Sequence, residues 1–213
     1  MEQLINDTPY ISILCAPPKS GKTYLIKYLL NEMFKKKKLK YGIVFCPTKF
    51  TGAYDFLPNE FVHSRYNENT LIKFYNIQIA QQNKRKKAEP AFIIFDDCIG
   101  SINFQSKIMS RLTSTYRHPN FTLIFTTQYI HKIPTTIREC ATYFITFKQT
   151  KENTFKSIQD NFMNEKSIKE VKKFIIDNTQ NYKFIIVDVL EDDDQKYHIE
   201  RVPEKYKEIK IKY

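Results

Sequence analysis

The sequence predicts an α/β protein, a three-layer sandwich with a mostly parallel central sheet. Short runs of β-branched and aromatic residues alternate with longer segments of helical pattern, which is typical of βαβ units. The short runs are apolar along nearly their whole length, as expected of strands that are covered on both faces. The chain has 213 residues, of which 42% are hydrophobic, enough for one packed domain with a small extension.

The elements of the core follow in order along the chain. Five strands are predicted at Tyr10–Cys15, Tyr41–Cys46, Ala91–Asp96, Phe121–Thr126 and Ala141–Phe147. The segments between them are predicted as helices at Lys22–Phe34, Asn69–Lys86 and Asn103–Tyr116, with a short helical turn at Pro134–Glu139.

The pattern changes after Phe147, and we divide the chain into a core of residues 1–150 and a C-terminal extension of residues 151–213. Two amphipathic helices are predicted at Glu152–Phe162 and Ser167–Asn178. Lys183–Leu190 and Gln195–Val202 then form a predicted hairpin around the acidic turn Glu191–Asp194, and the tail Glu204–Tyr213 is predicted as an edge strand. A solvated turn is favoured over a calcium site there, because no glycine or downstream glutamate completes a calcium loop.

The net charge and the cysteines indicate which kind of partner and which cellular compartment to expect. The net charge of +11 favours a polyanionic partner, either nucleic acid or an anionic membrane surface. The four cysteines are far apart, lie in or beside apolar runs and lack zinc-ligand spacing, so we expect small core residues of a reduced, intracellular protein. With neither a signal pattern nor an apolar run of membrane length, the sequence predicts no membrane segment.

Ala16–Thr23, with the sequence APPKSGKT, fits the P-loop pattern with alanine in place of the first glycine. It follows a predicted strand and opens a predicted helix, which favours a phosphate site over a chance match. Backbone N–H groups from Lys19 to Thr23 would surround the β-phosphate of ATP, and Gly21 would allow the sharp bend. Lys22 would reach the β- and γ-phosphates, and the Thr23 hydroxyl would bind Mg²⁺. The candidate nucleotide-binding residues are Pro18, Lys19, Ser20, Gly21, Lys22 and Thr23.

Two further strands end in polar residues. Asp96 and Asp97 follow the apolar run FIIF, so Asp96 fits the acid that holds the Mg²⁺ hydration shell and Asp97 the group that orients or deprotonates water. A helix cap or turn is the alternative for this acidic pair. Gln128 ends the next strand and could bind the γ-phosphate or the lytic water. The order of these strands predicts a P-loop NTPase of the additional-strand, RecA-like type.

The motifs APPKSGKT, FIIFDD, YRHPNFTLIFTTQ and IPTTIRECATYFITF resemble the FtsK/HerA superfamily, and within it the genome-packaging ATPases of poxviruses and other large or icosahedral DNA viruses. The resemblance extends from about Ile11 to Phe147. Many relatives have Glu where this chain has Asp97, so the resemblance implies a base that acts through an extra water or a slight backbone shift.

The resemblance implies an ATP-hydrolysing ring of identical subunits, a pentamer or hexamer. Such a ring pumps double-stranded DNA into a preformed viral capsid at its portal vertex, in the virion or the host-cell cytoplasm. An arginine of one subunit would complete the site of its neighbour. Arg117 is the first candidate and Arg138 the second, and Lys19 could act within its own subunit. An exposed charge or local ion pair is the alternative for either arginine.

Two basic runs lie in helix-to-strand connections, which share the sheet edge opposite the ATP site. Their residues are Lys35, Lys36, Lys37, Lys38, Lys40, Lys84, Arg85, Lys86 and Lys87. Together they could contact DNA phosphates without sequence preference. Solvated helix ends, where lysine is favoured by the helix dipole, are the alternative.

Three functions remain open from the sequence. The first is the viral packaging motor. The second is another FtsK/HerA-type DNA pump, although such pumps usually carry a membrane segment or large accessory domains. The third is a nucleoside or nucleotide kinase, which would need an acceptor pocket and usually an Arg-rich lid. A switch GTPase is disfavoured because the sequence lacks an Asn-Lys-x-Asp motif.

Overall fold

The computed structural model describes residues 1–192 and 195–211. Its strands are β1 (Ile11–Cys15), β2 (Tyr41–Phe45), β3 (Val62–His63), β4 (Ala91–Phe95), β5 (Phe121–Thr127), β6 (Tyr143–Thr146), β7 (Lys183–Asp188) and β8 (Tyr197–Arg201). Its α-helices are α1 (Glu2–Asn6), α2 (Lys22–Lys35), α3 (Glu68–Arg85), α4 (Lys107–Thr115), α5 (Thr135–Glu139), α6 (Glu152–Phe162) and α7 (Ile168–Asn178).

The strands form an eight-stranded sheet in the order β3-β2-β4-β5-β1-β6-β7-β8. All pairs from β3 to β6 are parallel, and β7 and β8 add to the β6 edge in antiparallel fashion. β5 lies between the strand that leads into the P-loop and the strand that ends in the two acids, with Leu123 level with both Ile11 and Ile93. This arrangement confirms the predicted P-loop NTPase fold.

Helices cover both faces of the sheet. Ile13 and Ile93 face the side covered by α3, α4, α6 and α7, whereas Leu14 and Ile94 face the side covered by α1 and α2. All five residues of β1 and of β4 are buried. The continuous apolar runs therefore reflect two-sided burial, as predicted.

Several element boundaries differ from the prediction. α4 begins at Lys107 rather than near Asn103, because Ser106 caps it by accepting a hydrogen bond from the Met109 N–H at 3.4 Å. The short elements α1 and β3 were not predicted, since five and two residues are too short for a periodic pattern.

The edge-strand prediction for the tail is wrong over residues 204–211, which form no strand and instead cross α2. The Asn31 side chain holds the tail there, accepting from the Ile209 N–H at 2.8 Å and donating to the Lys207 carbonyl at 3.2 Å. Residues 212 and 213 lie outside the described residues. A side-chain amide on a helix can pair with the backbone N–H and C=O groups of an extended segment, so the tail is held without a strand partner.

The predicted C-terminal hairpin is present as β7 and β8, and β7 pairs with β6 of the core sheet. Asp193 and Asp194 of the acidic turn lie outside the described residues. The strands β7 and β8 of the extension continue the sheet of the core. The division of the chain at residue 150 stays a prediction. Among the described residues, no helix combines the length and apolar character needed to cross a membrane.

The four cysteines are free thiols, and three of them are buried as predicted: Cys15, Cys46 and Cys98. Burial raises the pKa of the Cys15 and Cys98 thiols to about 12. The prediction is wrong for Cys140, which is exposed because it follows the last residue of the short helix α5 rather than entering a strand.

Gly42 marks a close approach of β2 and β4, and replacing it tests the packing of the sheet. A Cβ at Gly42 would overlap the ring and the carbonyl oxygen of Phe92. We expect Gly42→Ala to lower the free energy of unfolding by about 3 kcal/mol, measured by urea denaturation. Gly100→Ala is the control, because a Cβ there meets nothing within 4 Å, and it should change stability by less than about 0.5 kcal/mol. Equal stability of the two variants would contradict this account.

Candidate nucleotide-binding and hydrolysis site

The candidate site lies at the carboxyl ends of β1, β5 and β4. β1 leads into the loop of residues 16–21 and then into α2, β4 leads into Asp96 and Asp97, and β5 leads into Gln128. Because these three strands are parallel neighbours, their carboxyl ends lie together at one edge of the sheet.

The loop before α2 has the backbone of a phosphate cradle. Gly21 is the N-cap of α2 with φ of 99°, a left-handed conformation that favours glycine, and Lys19 has φ of 59°. The first N–H groups of a helix have no partner within it, so they are free to bind an anion here. The Ser20 hydroxyl oxygen is buried and finds no partner among the described residues. These groups suit a bound phosphate; Pro18 is exposed and Thr23 half-buried at the same loop.

Lys22 connects the loop with the two acids. Its side chain is 8% exposed, and its ammonium donates to Asp97 Oδ2 and lies 3.9 Å from Asp96 Oδ1. One buried cation therefore faces two carboxylates, which leaves a net negative charge. Such a site favours a second cation, and carboxylate and hydroxyl oxygens are the ligands that Mg²⁺ prefers.

Asp96 is buried and held by three side chains. It accepts hydrogen bonds from the hydroxyls of Thr126 at 2.6 Å and Tyr54 at 3.0 Å, and from the Cys46 thiol at 3.5 Å. Burial, and then the Asp96 charge, raise the pKa of Tyr54 well above its usual value, and burial raises the pKa of Cys46 to about 11. Both groups therefore stay protonated at neutral pH and continue to donate to Asp96.

Asp97 differs from Asp96 in backbone and exposure. Its φ is 51°, its side chain is 37% exposed, and its N–H donates to the Thr126 hydroxyl at 3.0 Å. The Thr126 hydroxyl thus accepts from the Asp97 N–H and donates to Asp96, and it supports the left-handed backbone of Asp97. The more exposed carboxylate is the one that water can reach.

Gln128 lines a cavity of about 250 Å³ together with Asp97, Thr127 and Tyr129. The structure therefore brings Gln128 and Asp97 to one cavity. On the β6 side, the buried Gln149 amide donates to the Cys15 carbonyl at 3.0 Å and supports the start of the loop.

Sequence reasoning missed the residues that position the acids. Tyr54 lies in an irregular segment between β2 and β3, where hydrophobic periodicity gives no signal. Thr126 resembles an ordinary β-branched strand residue, and Gln149 lies beyond the last predicted core strand. The available signal was position: Thr126 lies two residues before Gln128, at the carboxyl end of β5.

Neither candidate arginine contacts the loop or the acids among the described residues. Arg117 is exposed near the amino end of β5, and its Nε donates to the Tyr116 hydroxyl at 3.0 Å. Arg138 is half-buried and donates to Asn161 at 2.6 Å and Thr135 at 2.8 Å. Arg117 therefore lies at the sheet edge opposite the loop, as predicted, and Arg138 is fixed against α6.

The two basic runs lie side by side at that opposite edge. The Lys40 N–H donates to the Pro90 carbonyl at 2.9 Å, and Tyr41 is level with Ala91. Local acids compensate part of this charge, in the ion pairs of Lys35 with Glu32, Lys36 with Glu2 and Arg85 with Glu89. Lys38 donates to a backbone carbonyl, whereas Lys37, Lys40, Lys84, Lys86 and Lys87 are exposed.

Comparison with known proteins gives one family and several structural relatives. The family model described as Poxvirus A32 protein matches residues 2–203. Uncharacterized protein 075L of Invertebrate iridescent virus 6 is 30% identical over 146 residues, which are 67% of this chain and 56% of that protein. The chain thus spans little more than half the length of this curated relative.

Two solved structures have the same fold. B204, the DNA-packaging ATPase from Sulfolobus Turreted Icosahedral Virus, superimposes with a TM-score of 0.68 and 21% identity, over 92% of this chain and 100% of B204. The genome packaging NTPase B204 from Sulfolobus turreted icosahedral virus 2, in complex with ATP-gammaS, has a TM-score of 0.67 and 20% identity, over 91% and 97% of the two chains.

Two buried threonines of β5, Thr126 and Thr122, allow a matched test of the hydrogen bonds that hold Asp96 and Asp97. Thr126→Val would leave Asp96 Oδ1 and the Asp97 N–H without their shared hydroxyl, so we expect stability to fall by about 1–3 kcal/mol. The Thr122 hydroxyl finds no partner among the described residues, so Thr122→Val should be neutral or stabilising. Chemical denaturation measures both. A loss of stability in Thr122→Val as large as in Thr126→Val would argue against a special role of the Thr126 hydroxyl.

Proposed function

The chain belongs to the poxvirus A32 protein family, and on that premise we propose that it is an ATP-hydrolysing motor that moves viral double-stranded DNA into a preformed capsid. The observation that carries the proposal is the contact of Lys22 with the acids at the end of β4, on a sheet in which β5 separates β4 from the P-loop strand. The solved relatives are named as a DNA-packaging ATPase and a genome packaging NTPase, which supports the same function.

In the proposed reaction, the free N–H groups at the start of α2 and the Ser20 hydroxyl bind the phosphates of ATP. The Lys22 ammonium then turns from Asp97 toward the β- and γ-phosphates, whose charge competes for it. Thr23, and Asp96 through water, would hold Mg²⁺, which would supply positive charge beside the phosphate oxygens. Once released from Lys22, Asp97 orients or deprotonates the attacking water, and Gln128 positions that water from the same cavity.

We propose that the motor is a ring, a pentamer or hexamer, in which an arginine of one subunit serves its neighbour. Arg117 is exposed and lies at the edge away from its own acids, so it could reach only the site of another subunit. Arg138 is the second candidate, and it would first have to leave Asn161 and Thr135. Lys19, exposed in the loop, could contribute within its own subunit.

The proposed DNA surface is the sheet edge that carries the two basic runs, in residues 35–40 and 84–87. It presents exposed lysines from two adjacent connections, and phosphate contacts by lysine require no base sequence. The site of hydrolysis and the DNA surface then lie at opposite ends of the same strands. We place this activity at the capsid portal vertex, in the virion or at the assembly site in the host-cell cytoplasm.

The roles of Lys22 and Asp97 are tested by two substitutions. Lys22→Ala should abolish ATP binding and hydrolysis, because it removes the cation that faces the phosphates. Asp97→Asn should lower kcat by about 10²–10⁴-fold and leave ATP binding largely intact, since it removes a base and not a phosphate contact. Phosphate release and ATP binding are measured separately, with the exposed Asp177→Asn in α7 as control. Full activity in Asp97→Asn would exclude this carboxylate as the base.

Coupling to DNA is tested by adding long duplex DNA at several salt concentrations. We expect DNA to stimulate ATP turnover, with an affinity that falls as salt rises. Lys40→Gln combined with Lys87→Gln should lower the magnitude of the slope of log K against log salt by about 2, from the loss of two phosphate contacts. The control pair Lys169→Gln and Lys173→Gln removes the same charge from exposed positions of α7 and should keep the slope. ATP turnover that requires a nucleoside acceptor instead of DNA would favour the kinase alternative.

A further inference from the structure

A cavity of about 460 Å³ adjoins the P-loop on the β6 side, away from Asp97 and Gln128. Gly21 and Tyr24 of the P-loop and α2 form one wall of this cavity. Phe147, which follows β6, and Tyr182, which precedes β7, form the other. Its volume is in the range of small-molecule sites, and most of its lining is apolar or aromatic.

The two rings lie against the backbone of the phosphate loop. A Cβ at Gly21 would lie 3.5 Å from Cε1 of Phe147 and 3.6 Å from Cδ1 of Tyr182. Phe147 is 3% exposed and packs against Phe184 with ring centroids 5.2 Å apart, so it forms a fixed wall. A ligand with phosphates on the loop would therefore place its next group beside these rings.

Tyr182 is unusual in both exposure and backbone. Its side chain is 68% exposed, and both Asn181 and Tyr182 are left-handed, with φ of 54° and 60°. A bulky residue rarely adopts this conformation, and such residues concentrate at ligand sites. This turn between α7 and β7 presents the tyrosine ring to the cavity instead of burying it in the sheet.

Polar groups stand at the rim of the same cavity. The Arg201 guanidinium donates to Glu204 at 2.7 Å, and both residues line the cavity. The Tyr24 hydroxyl donates to the carbonyls of Pro203 and Glu204 at 3.1 and 3.2 Å, which fixes this part of the chain over the start of α2. A guanidinium and a carboxylate can recognise the ring nitrogens and the amino group of a base.

We propose that Tyr182 and Phe147 form the base site for the purine ring of the nucleotide whose phosphates bind the P-loop, with Arg201 and Glu204 at its edge. The inference rests on the proposed nucleotide binding and adds the residues that hold the base. A purine offers the larger aromatic face for stacking on Tyr182. The C-terminal extension thereby supplies part of the nucleotide site.

The test compares ADP, which carries the base, with pyrophosphate, which does not. Tyr182→Ala should weaken ADP binding about tenfold and leave pyrophosphate binding within about twofold, whereas Tyr182→Phe should keep both. Phe50→Ala removes an aromatic ring that is 86% exposed and outside the cavity, and should change neither. Calorimetry on the full chain measures all four proteins.

A second measurement reports on stacking of the base directly and does not depend on a change in ADP affinity. The chain has no tryptophan, so Tyr182→Trp introduces a single tryptophan at the proposed stacking position, and its fluorescence can be excited apart from that of the tyrosines. ADP should quench this fluorescence, and pyrophosphate should leave it unchanged. Wild-type affinity for ADP in Tyr182→Ala, or an equal loss of pyrophosphate binding, would overturn the base site. Wild-type protein that binds neither ligand would instead overturn the proposed nucleotide function.

Discussion

The parallel pairing of β5 with both β1 and β4 determines where the chemistry of this protein is located. Parallel neighbouring strands place their carboxyl ends at the same edge of the sheet. Three loops that are far apart in the sequence therefore meet there. Residues near position 20, near 97 and near 128 become neighbours through the backbone hydrogen bonding of the sheet. The contact between Lys22 and Asp97 spans 75 residues and depends on this register.

At this edge of the sheet, the charges of the facing side chains do not cancel. Lys22 faces two carboxylates, and Asp96 is additionally satisfied by hydroxyl and thiol donors. A buried carboxylate with several donors stays in place when a cation arrives or leaves, whereas the more exposed Asp97 depends on one ammonium. The two acids are adjacent in sequence, but they differ in burial and in the number of groups that hold them, which supports the different roles proposed for them.

The sequence predicted the parts that depend on strong local patterns. Apolar strands buried on both faces, the loop around Gly21 and the strand-end position of Asp96 follow from composition and spacing, and the family match confirms the poxvirus resemblance. The rest depends on tertiary contacts. Tyr54 acts from an irregular segment, Thr126 acts through its hydroxyl rather than its strand propensity, and Tyr182 owes its exposure to a left-handed turn. Cys140 was expected in the core because it stands beside the apolar run Ala141–Phe147, yet its position at a helix end exposes it.

The path of the tail across α2 also bears on how the chain is made. Asn31 completes its hydrogen bonds with residues 207 and 209, and the Ile209 contact spans 178 positions of the chain. During synthesis, the helix that follows the phosphate loop emerges long before the segment that covers it. Until that segment leaves the ribosome, the apolar layer around α2 lacks Ile211 and stays partly open to water. The apolar layer around α2 is therefore completed only after residues 207–211 have emerged, and transiently exposed apolar surface of this kind makes unfinished chains prone to aggregate.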